Sequence, residues 1–395
     1  MSTITLQHLL DACSPGGASV LTSITSLQPA AGPHASVAPA KFVSGSKSVF
    51  AYERRFWNGE TATAVLIDSK QSQNNRLEAA VSAAIADEDP VLTRTPRIEL
   101  RFEDGQVYND MDLPHRAFDG QIRAGTINGE PATAVQKYRE LRDSTVAHAR
   151  PLLERSPMTL LLGGWDASRK SHQGRYRSIL VGEIIGILAD QDGGPEANQS
   201  KRGGARIDPV GMRIDLGDKA RKAIADAQKH ELSASTHKSA SGKTGKASTL
   251  GLGGVPPSLE QLGGVTCQAI IRSHVLSFAA LRALRFDSPT PEGDVACRAL
   301  LAALALNGLA RSDAELLLRA NCDLVETGPA VVTLDRRYGQ KESFEPLSID
   351  QAQELLSVAI DNATQTANLT WDGSVLVVEG NPAILAAAAD DAQDD

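Results

Sequence analysis

Four short segments concentrate the side chains that could do chemistry. Asp68-Ser69-Lys70-Gln71-Ser72-Gln73-Asn74-Asn75-Arg76 follows a β-favouring run at 61–67 and opens a helix over 71–86, where Leu77, Val81 and Ile85 recur at i, i+4 and i+8. Helix-start N–H groups, Lys70, Arg76 and the amides of Gln71, Asn74 and Asn75 meet there. That set suits phosphates and sugar hydroxyls, and equally a polar cap with a solvated first turn. His115-Arg116-Ala117-Phe118-Asp119 offers an acid/base pair or, alternatively, a phosphate contact beside a structural pair. Arg116 and Arg123 lie seven residues apart, two turns on one face if the segment is helical. Trp165 is followed by Arg169, Lys170, Arg175 and Arg177, four cations beside an aromatic ring in a Gly/Ser-rich loop. Lys201-Arg202-Gly203-Gly204-Ala205-Arg206 repeats the theme, since glycine lets backbone amides approach a phosphate closely. Several such loops in one chain describe a groove for a single-stranded polyanion.

Other motifs fail on context. Gly242-Lys243-Thr244 lacks the upstream glycine of a phosphate loop, because position 237 is histidine and no buried strand leads in. Gly251-Leu252-Gly253-Gly254 is followed by Pro256-Pro257 where a dinucleotide turn would start its helix. There is no Gly-x-Ser-x-Gly elbow and no His-Glu-x-x-His, and the eight histidines are scattered. No catalytic residue, metal site or cofactor is expected, although His115 remains open as an acid/base.

The elements that must position these segments alternate in type. The pattern predicts a helix at 5–12, a strand at 20–27, a loop at 30–48, the strand–helix pair at 61–86, and a hairpin from 97–102 and 106–108. It continues with a long polar helix at 132–155, a strand at 158–165, a helix at 177–188 and a Gly-rich loop at 190–204. A charged helix at 218–231, a mobile Ser/Lys/Gly stretch at 233–254 and a strand at 265–278 with a helical turn at 279–285 follow. Helices at 292–306, 312–320 and 349–364, strands near 330–335 and 373–378, and an acidic tail end the chain. Strands alternating with helices, with hairpin signals between them, give an α+β class.

Composition bounds the partners. The 395 residues are 42 % hydrophobic and 22 % charged, those of a globular chain with a core. Net charge is −8, but it is unevenly spread. Residues 1–114 carry 9 basic and 13 acidic side chains, 115–285 carry 25 and 16, and 286–395 carry 6 and 19. A polyanion meets local charge, so the basic middle outweighs the global sum. Aromatics are 4 %, which argues against reading bases mainly by stacking on a sheet. Four distant cysteines without a Cys-x-x-Cys pair, no readable signal peptide and no 18-residue apolar run point to a reducing cytoplasm and no membrane.

The 68–78 segment resembles the "D-S-x-Q-S-x-x-N-R-L-E" stretch of the backbone subunit of CRISPR type I-G (formerly I-U) Cascade, a RAMP-superfamily protein that lines the guide RNA. His115-Arg116 with Asp119 and Arg123, the 156–166 stretch ending Gly163-Gly164-Trp165-Asp166, and 177–186 agree in order. So do Ala205-Arg206-Ile207-Asp208-Pro209, Gly251 to Pro257 with Gly263-Gly264-Val265-Thr266, and 275–282. The resemblance covers about 68–286; Gly164, Gly182 and Ala205 depart from it. It implies an RRM-like (ferredoxin-like) palm with inserted thumb and finger elements at 1–286, an acidic α/β part packed on it at 287–380, and an acidic tail at 381–395. It also implies a ribonucleoprotein in antiviral defence: head-to-tail copies along one crRNA, a large subunit, a fused cap/processing subunit and a target DNA strand. Such a subunit grips backbone and avoids base edges. The expected RNA contacts are Lys70, Gln71, Asn74, Asn75, Arg76, His115, Arg116, Arg123, Trp165, Arg169, Lys170, Arg177, Lys201, Arg202 and Arg206. The alternative is a ribonuclease of the same superfamily that uses His115, Asp68 or Asp119.

Overall fold

The structure is a computed structural model that describes residues 2–45, 47–171, 173–202, 216–252 and 261–384. The chain forms two units, one from 1–199 with 264–380 and the other from 200–263 with 381–395.

The first unit is organised by an eight-stranded antiparallel sheet. Its strands are β1 (Val20–Pro29), β2 (Tyr52–Trp57), β3 (Glu60–Asp68), β4 (Leu180–Leu188), β5 (Cys267–Ser277), β6 (Leu324–Glu326), β7 (Val331–Asp335) and β8 (Lys341–Phe344). The order is β8-β7-β1-β5-β4-β3-β2, with β6 also on β1. Helix α1 (Lys70–Ala86) lies between β1 and β4 in sequence, and α2 (Pro291–Ala314) between β5 and β7. Strands β7-β1-β5-β4 with these two crossovers reproduce the RRM-like arrangement, in which the first and third strands occupy the centre. The α+β, RRM-like expectation is met.

Side-chain alternation explains the burial. Leu21, Ser23, Thr25 and Leu27 of β1 turn inward and pair with Leu276, His274, Arg272 and Ile270 of β5. Helix α2 packs against α1, α3 (Ile349–Ala367) and the helix Leu6–Cys13. Gly308 admits α1 closely, since a Cβ there would meet Leu77 at 2.7 Å. Among the described residues α2 alone is long and apolar enough to cross a membrane, but 83 % of its most apolar window is buried in the protein. On the opposite sheet face Ile24 and Val331 are exposed, and the central strands present Thr22, Ser26, Ile271, Ser273 and Val275 between them. No aromatic ring stands on these central positions.

Several elements differ from the sequence pattern, each for a physical reason. The expected helix 132–155 is two helices, Gln136–Asp143 and Arg150–Leu153, because Pro151 is tolerated only in a first turn. The apolar run expected as a strand at 158–165 is a buried helix, Pro157–Leu162, started by its proline; a short apolar run fits either period. Conversely, 177–188 is the strand β4, where Gly182 and Gly186 suit close strand contacts and β-branched residues suit the sheet. A Cβ at Gly182 would sit 2.1 Å from the His274 ring, so the departure from the resembled pattern there follows from packing. The expected loop 30–48 contains a hairpin of Lys41–Ser44 on Lys47–Phe50. No separate helix covers 312–320; α2 runs to Ala314. Residues 287–380, expected to pack on the palm, supply its second crossover helix and the strands β6, β7 and β8. The hairpin Arg97–Arg101 with Val107–Asn109 forms as expected, extended in parallel by Val375–Glu379.

The 190–204 loop ends as a strand, Gln199–Arg202, and in the second unit the stretch expected to be mobile holds a helix, Ala234–Ser241.

Candidate nucleic-acid interface

At the start of α1 the sequence motif is divided between solvent and the interior. Asp68 ends β3 with no exposed surface and accepts from Ser72 Oγ (3.0 Å), Gln73 Nε2 (2.6 Å), Arg76 Nε (3.1 Å) and Arg319 (2.6 Å). Burial acts to raise its pKa, but hydrogen bonds from Arg76 and Gln73 and the Arg76 charge hold it below the usual carboxylate range. Arg76 is thereby turned inward, with a second bond to the Leu317 carbonyl. Asn74 is buried. Lys70, Gln71 and Asn75 face solvent, and Lys70 Nζ lies 3.8 Å from Glu183.

The 115–123 segment is likewise tied into the fold. It is a 3-10 turn, Arg116–Phe118, and a separate helix, Gly120–Ala124, so Arg116 and Arg123 do not share one helical face. Asp119 caps that helix, accepting from the backbone N–H of His115 (3.2 Å) and Gln121 (2.8 Å). It meets the His115 backbone and not the imidazole, which is exposed. Arg116, at φ 48°, forks onto buried Glu78 (Nη2 to Oε2 2.7 Å) and donates to the Gly163 carbonyl at 3.0 Å. Burial drives Glu78 up to about 7 despite the Arg116 charge and hydrogen bond beside it. Arg123 donates to the Phe118 carbonyl at 3.1 Å and to Ser168 Oγ.

From Gly163 onward the chain opens. Gly163 adopts φ 90°, and a Cβ at Gly164 would meet Thr159 at 2.8 Å and Phe118 at 3.0 Å, so a larger residue is excluded there. Gly164–Trp165 pairs with Arg175–Tyr176. Inside the resulting loop, buried Asp166 holds Arg142 (2.8 Å), and Arg169 bonds the Arg142 carbonyl (2.8 Å) and Asp143 (2.6 Å). Outside it, Lys170 and Arg177 are exposed, the latter's side chain reaching, among the described residues, only the Ser178 carbonyl at 3.3 Å. Trp165 is 47 % exposed, with the Arg175 guanidinium 4.4 Å over its ring. Trp165, Arg175, Tyr176, Arg177 and Ile179 line a hollow of about 680 Å³ that reaches Leu284. The buried Tyr176 hydroxyl has no hydrogen-bond partner among the described residues. The wall can stack a base and neutralise phosphates.

Residues 21–191 match the family described as CRISPR-associated protein GSU0053. The matched segment, under half of the chain, is thus similar to a CRISPR-associated family. No curated protein matches the chain. The segment similar to the CRISPR-associated family runs from β1 through β4 and takes in the α1 start, the 115–123 turn and the 163–177 loop. Lys201, Arg202 and Arg206 lie beyond it. Lys201 is exposed in the strand Gln199–Arg202, only the backbone of Arg202 is described, and Arg206 falls outside the described residues.

Arg175, counted among the loop cations but not among the expected RNA contacts, contributes the ring contact with Trp165; the hairpin signal was Gly163-Gly164 on one side and Gly174 on the other. Asp218–Ala227 and Ala234–Ser241 form a helix pair in the second unit, where Arg221 bonds the Ala240 and Gly242 carbonyls at 2.8 and 2.7 Å. Gly242-Lys243-Thr244 is therefore a helix exit. Lys219, Lys222, Lys229, Lys238, Lys243 and Lys246 of this unit all face solvent.

Proposed function

We propose that the chain is the backbone subunit of a CRISPR type I-G Cascade. It holds crRNA along its length, polymerises head to tail, and works with a large subunit and a fused cap/processing subunit so that target DNA can pair with the guide. In this reading it has no active site and acts in the cytoplasm as a sequence-independent clamp. The observation that carries it is the 163–177 loop. There an exposed tryptophan and the cations Lys170 and Arg177, which form no ion pair with a described residue, stand beside an RRM-like sheet whose central strands lack exposed rings, in a segment similar to a CRISPR-associated family. A reader of sequence on an RRM sheet needs such rings, whereas a holder of arbitrary spacers needs phosphate contacts and an occasional stacking wall.

Fluorescence anisotropy with labelled single-stranded RNA of unrelated sequences tests this. Similar affinities, all falling steeply with salt, are expected. Strong preference for one sequence, or no RNA affinity, refutes it. Incubation with CRISPR repeat RNA addresses the rival: clean cleavage lost in His115→Ala would make the protein a ribonuclease.

A further inference from the structure

The turn between β7 and β8, Arg336-Arg337-Tyr338-Gly339-Gln340, belongs to none of the motifs above and lies in the acidic C-terminal third. Tyr338 is 100 % exposed and holds φ 61°, a left-handed conformation unusual for a bulky residue, with Gly339 following at φ 73°. In a chain with five tyrosines, Tyr138 and Tyr176 are buried, Tyr52 is partly covered and Tyr108 is 37 % exposed. A ring held wholly in water therefore stands apart, and strain at such a position points to a contact. Arg336 anchors the turn on Glu342 (2.6 Å). Arg337 is exposed; its carbonyl accepts from the Gln340 backbone N–H at 3.3 Å, and its guanidinium makes no hydrogen bond or ion pair with a described residue.

The turn borders a second hollow of about 650 Å³, whose far side is Gly16-Gly17-Ala18. That side is backbone: a Cβ on Gly17 would lie 2.3 Å from the Asp11 carbonyl oxygen. Arg282 donates to the carbonyl of Ala18, one of these lining residues, at 2.7 Å. Burial and the charge of Arg337 both pull its pKa down, while the Cys13 thiol beside it is pushed up to about 12 and stays neutral. Two guanidinium groups thus act on each other across this wall, an electrostatic setting that favours an anion.

Strand register places this turn at the same end of the sheet as the 163–177 loop. Asp335 pairs with Val20, Val20 with Ser277, and Leu276 with Leu180. Three strand spacings separate β7 from β4, about 15 Å, a distance a few stacked nucleotides cover.

We propose that the Arg337–Tyr338 turn is a second contact for single-stranded nucleic acid, stacking a base on Tyr338 and binding phosphate at Arg337. It extends to the acidic third of the chain the nucleic-acid reading on which it rests.

The test is anisotropy of a fluorescein-labelled oligouridylate with the full-length protein. Tyr338→Asn, which keeps a residue tolerant of the left-handed turn, should weaken binding about tenfold, and Tyr338→Trp should restore it to within about twofold. Arg337→Ala should weaken it about three- to tenfold and reduce the salt slope by about 1. Wild-type affinity in both Tyr338→Asn and Arg337→Ala, with Trp165→Ala still impaired, overturns the second contact and leaves the proposed function standing. No binding by the wild-type protein overturns both. If the variants change only self-association in light scattering, the turn is a protein contact and the proposal fails.

Discussion

The α1 start and the 163–177 loop carry similar residues to opposite ends. Each offers arginines beside polar groups and an aspartate. At the α1 start, Asp68 is buried and gathers Ser72, Gln73, Arg76 and Arg319 around itself, so the Arg76 charge is engaged by an interior carboxylate. In the loop, Asp166 takes Arg142 and Asp143 takes Arg169, which leaves Lys170, Arg175 and Arg177 outside with Trp165. The difference lies in where the carboxylate sits. A fully buried carboxylate must be paired, and it recruits the nearest arginines whatever else they could bind.

The strongest way to break this comparison is to remove the buried carboxylate. Asp68→Ala strands Arg76 and Arg319 and should cost about 3 kcal/mol in urea unfolding, with Arg76→Ala costing less because Arg319 still compensates. Because Asp68 is held low in the folded state, its contribution is present above the ordinary carboxylate pKa and is lost as pH falls through the depressed folded value. If Arg76→Ala kept full stability and lost RNA affinity instead, the α1 start would be an RNA site and the contrast would vanish.

Glu78 should show the opposite sign. Its folded pKa is raised to about 7 from 4.5, so the stabilisation is fully present below pH 4.5 and is lost as pH rises through 7. Unfolding free energy should therefore decline from about pH 5 to pH 8, by a few kcal/mol at most, and Glu78→Gln should flatten the curve. Asp110, raised to about 6 by burial, acts in the same direction at lower pH. A profile that rises over this window would show that Arg116 overcomes burial at Glu78.

Much of this was legible in the sequence, and the failures have common causes. The 61–86 strand–helix pair could be read because a β-favouring run meets Ser69, an N-cap that accepts from Ser72 N. The 97–109 hairpin was marked by Asp104-Gly105. Helix Pro157–Leu162 and strand β4 were exchanged because both are short apolar runs without a visible period. At the site, residue type revealed which side chains are cationic but not which are already paired. Arg76 and Arg116 find partners at Asp68, Leu317, Glu78 and Gly163, and those at 317, 78 and 163 adjoin them only through tertiary contacts. Lys170 and Arg177 could not be told from them by pattern.

The loop half of the comparison is sharpened by binding. Trp165→Ala should weaken single-stranded RNA binding about tenfold, since a stacked base is worth about 1–3 kcal/mol. Arg177→Ala should weaken it about three- to tenfold, equally across sequences. Neither should shift stability by more than about 0.5 kcal/mol, because both side chains stand at the surface.

The smallest effect expected is at Lys70, which belongs to the α1 start by sequence and to the surface by position. Its side chain is 57 % exposed and its ammonium lies 3.8 Å from Glu183, a carboxylate that also receives Arg55 at 2.9 Å. An exposed pair of that length contributes about 0–1 kcal/mol, so Lys70→Ala should leave urea unfolding unchanged within about 0.5 kcal/mol. If Lys70 touches RNA, its loss should lower the salt slope of binding by about 1 with a two- to threefold change in affinity at low salt. An unchanged slope would mean that Glu183 keeps Lys70 for itself and that the whole α1 start, its exposed lysine included, serves the fold. A reduced slope would place the border between structural and RNA-facing charge inside one helical turn, between Lys70 on the solvent side and Arg76 on the side of Asp68.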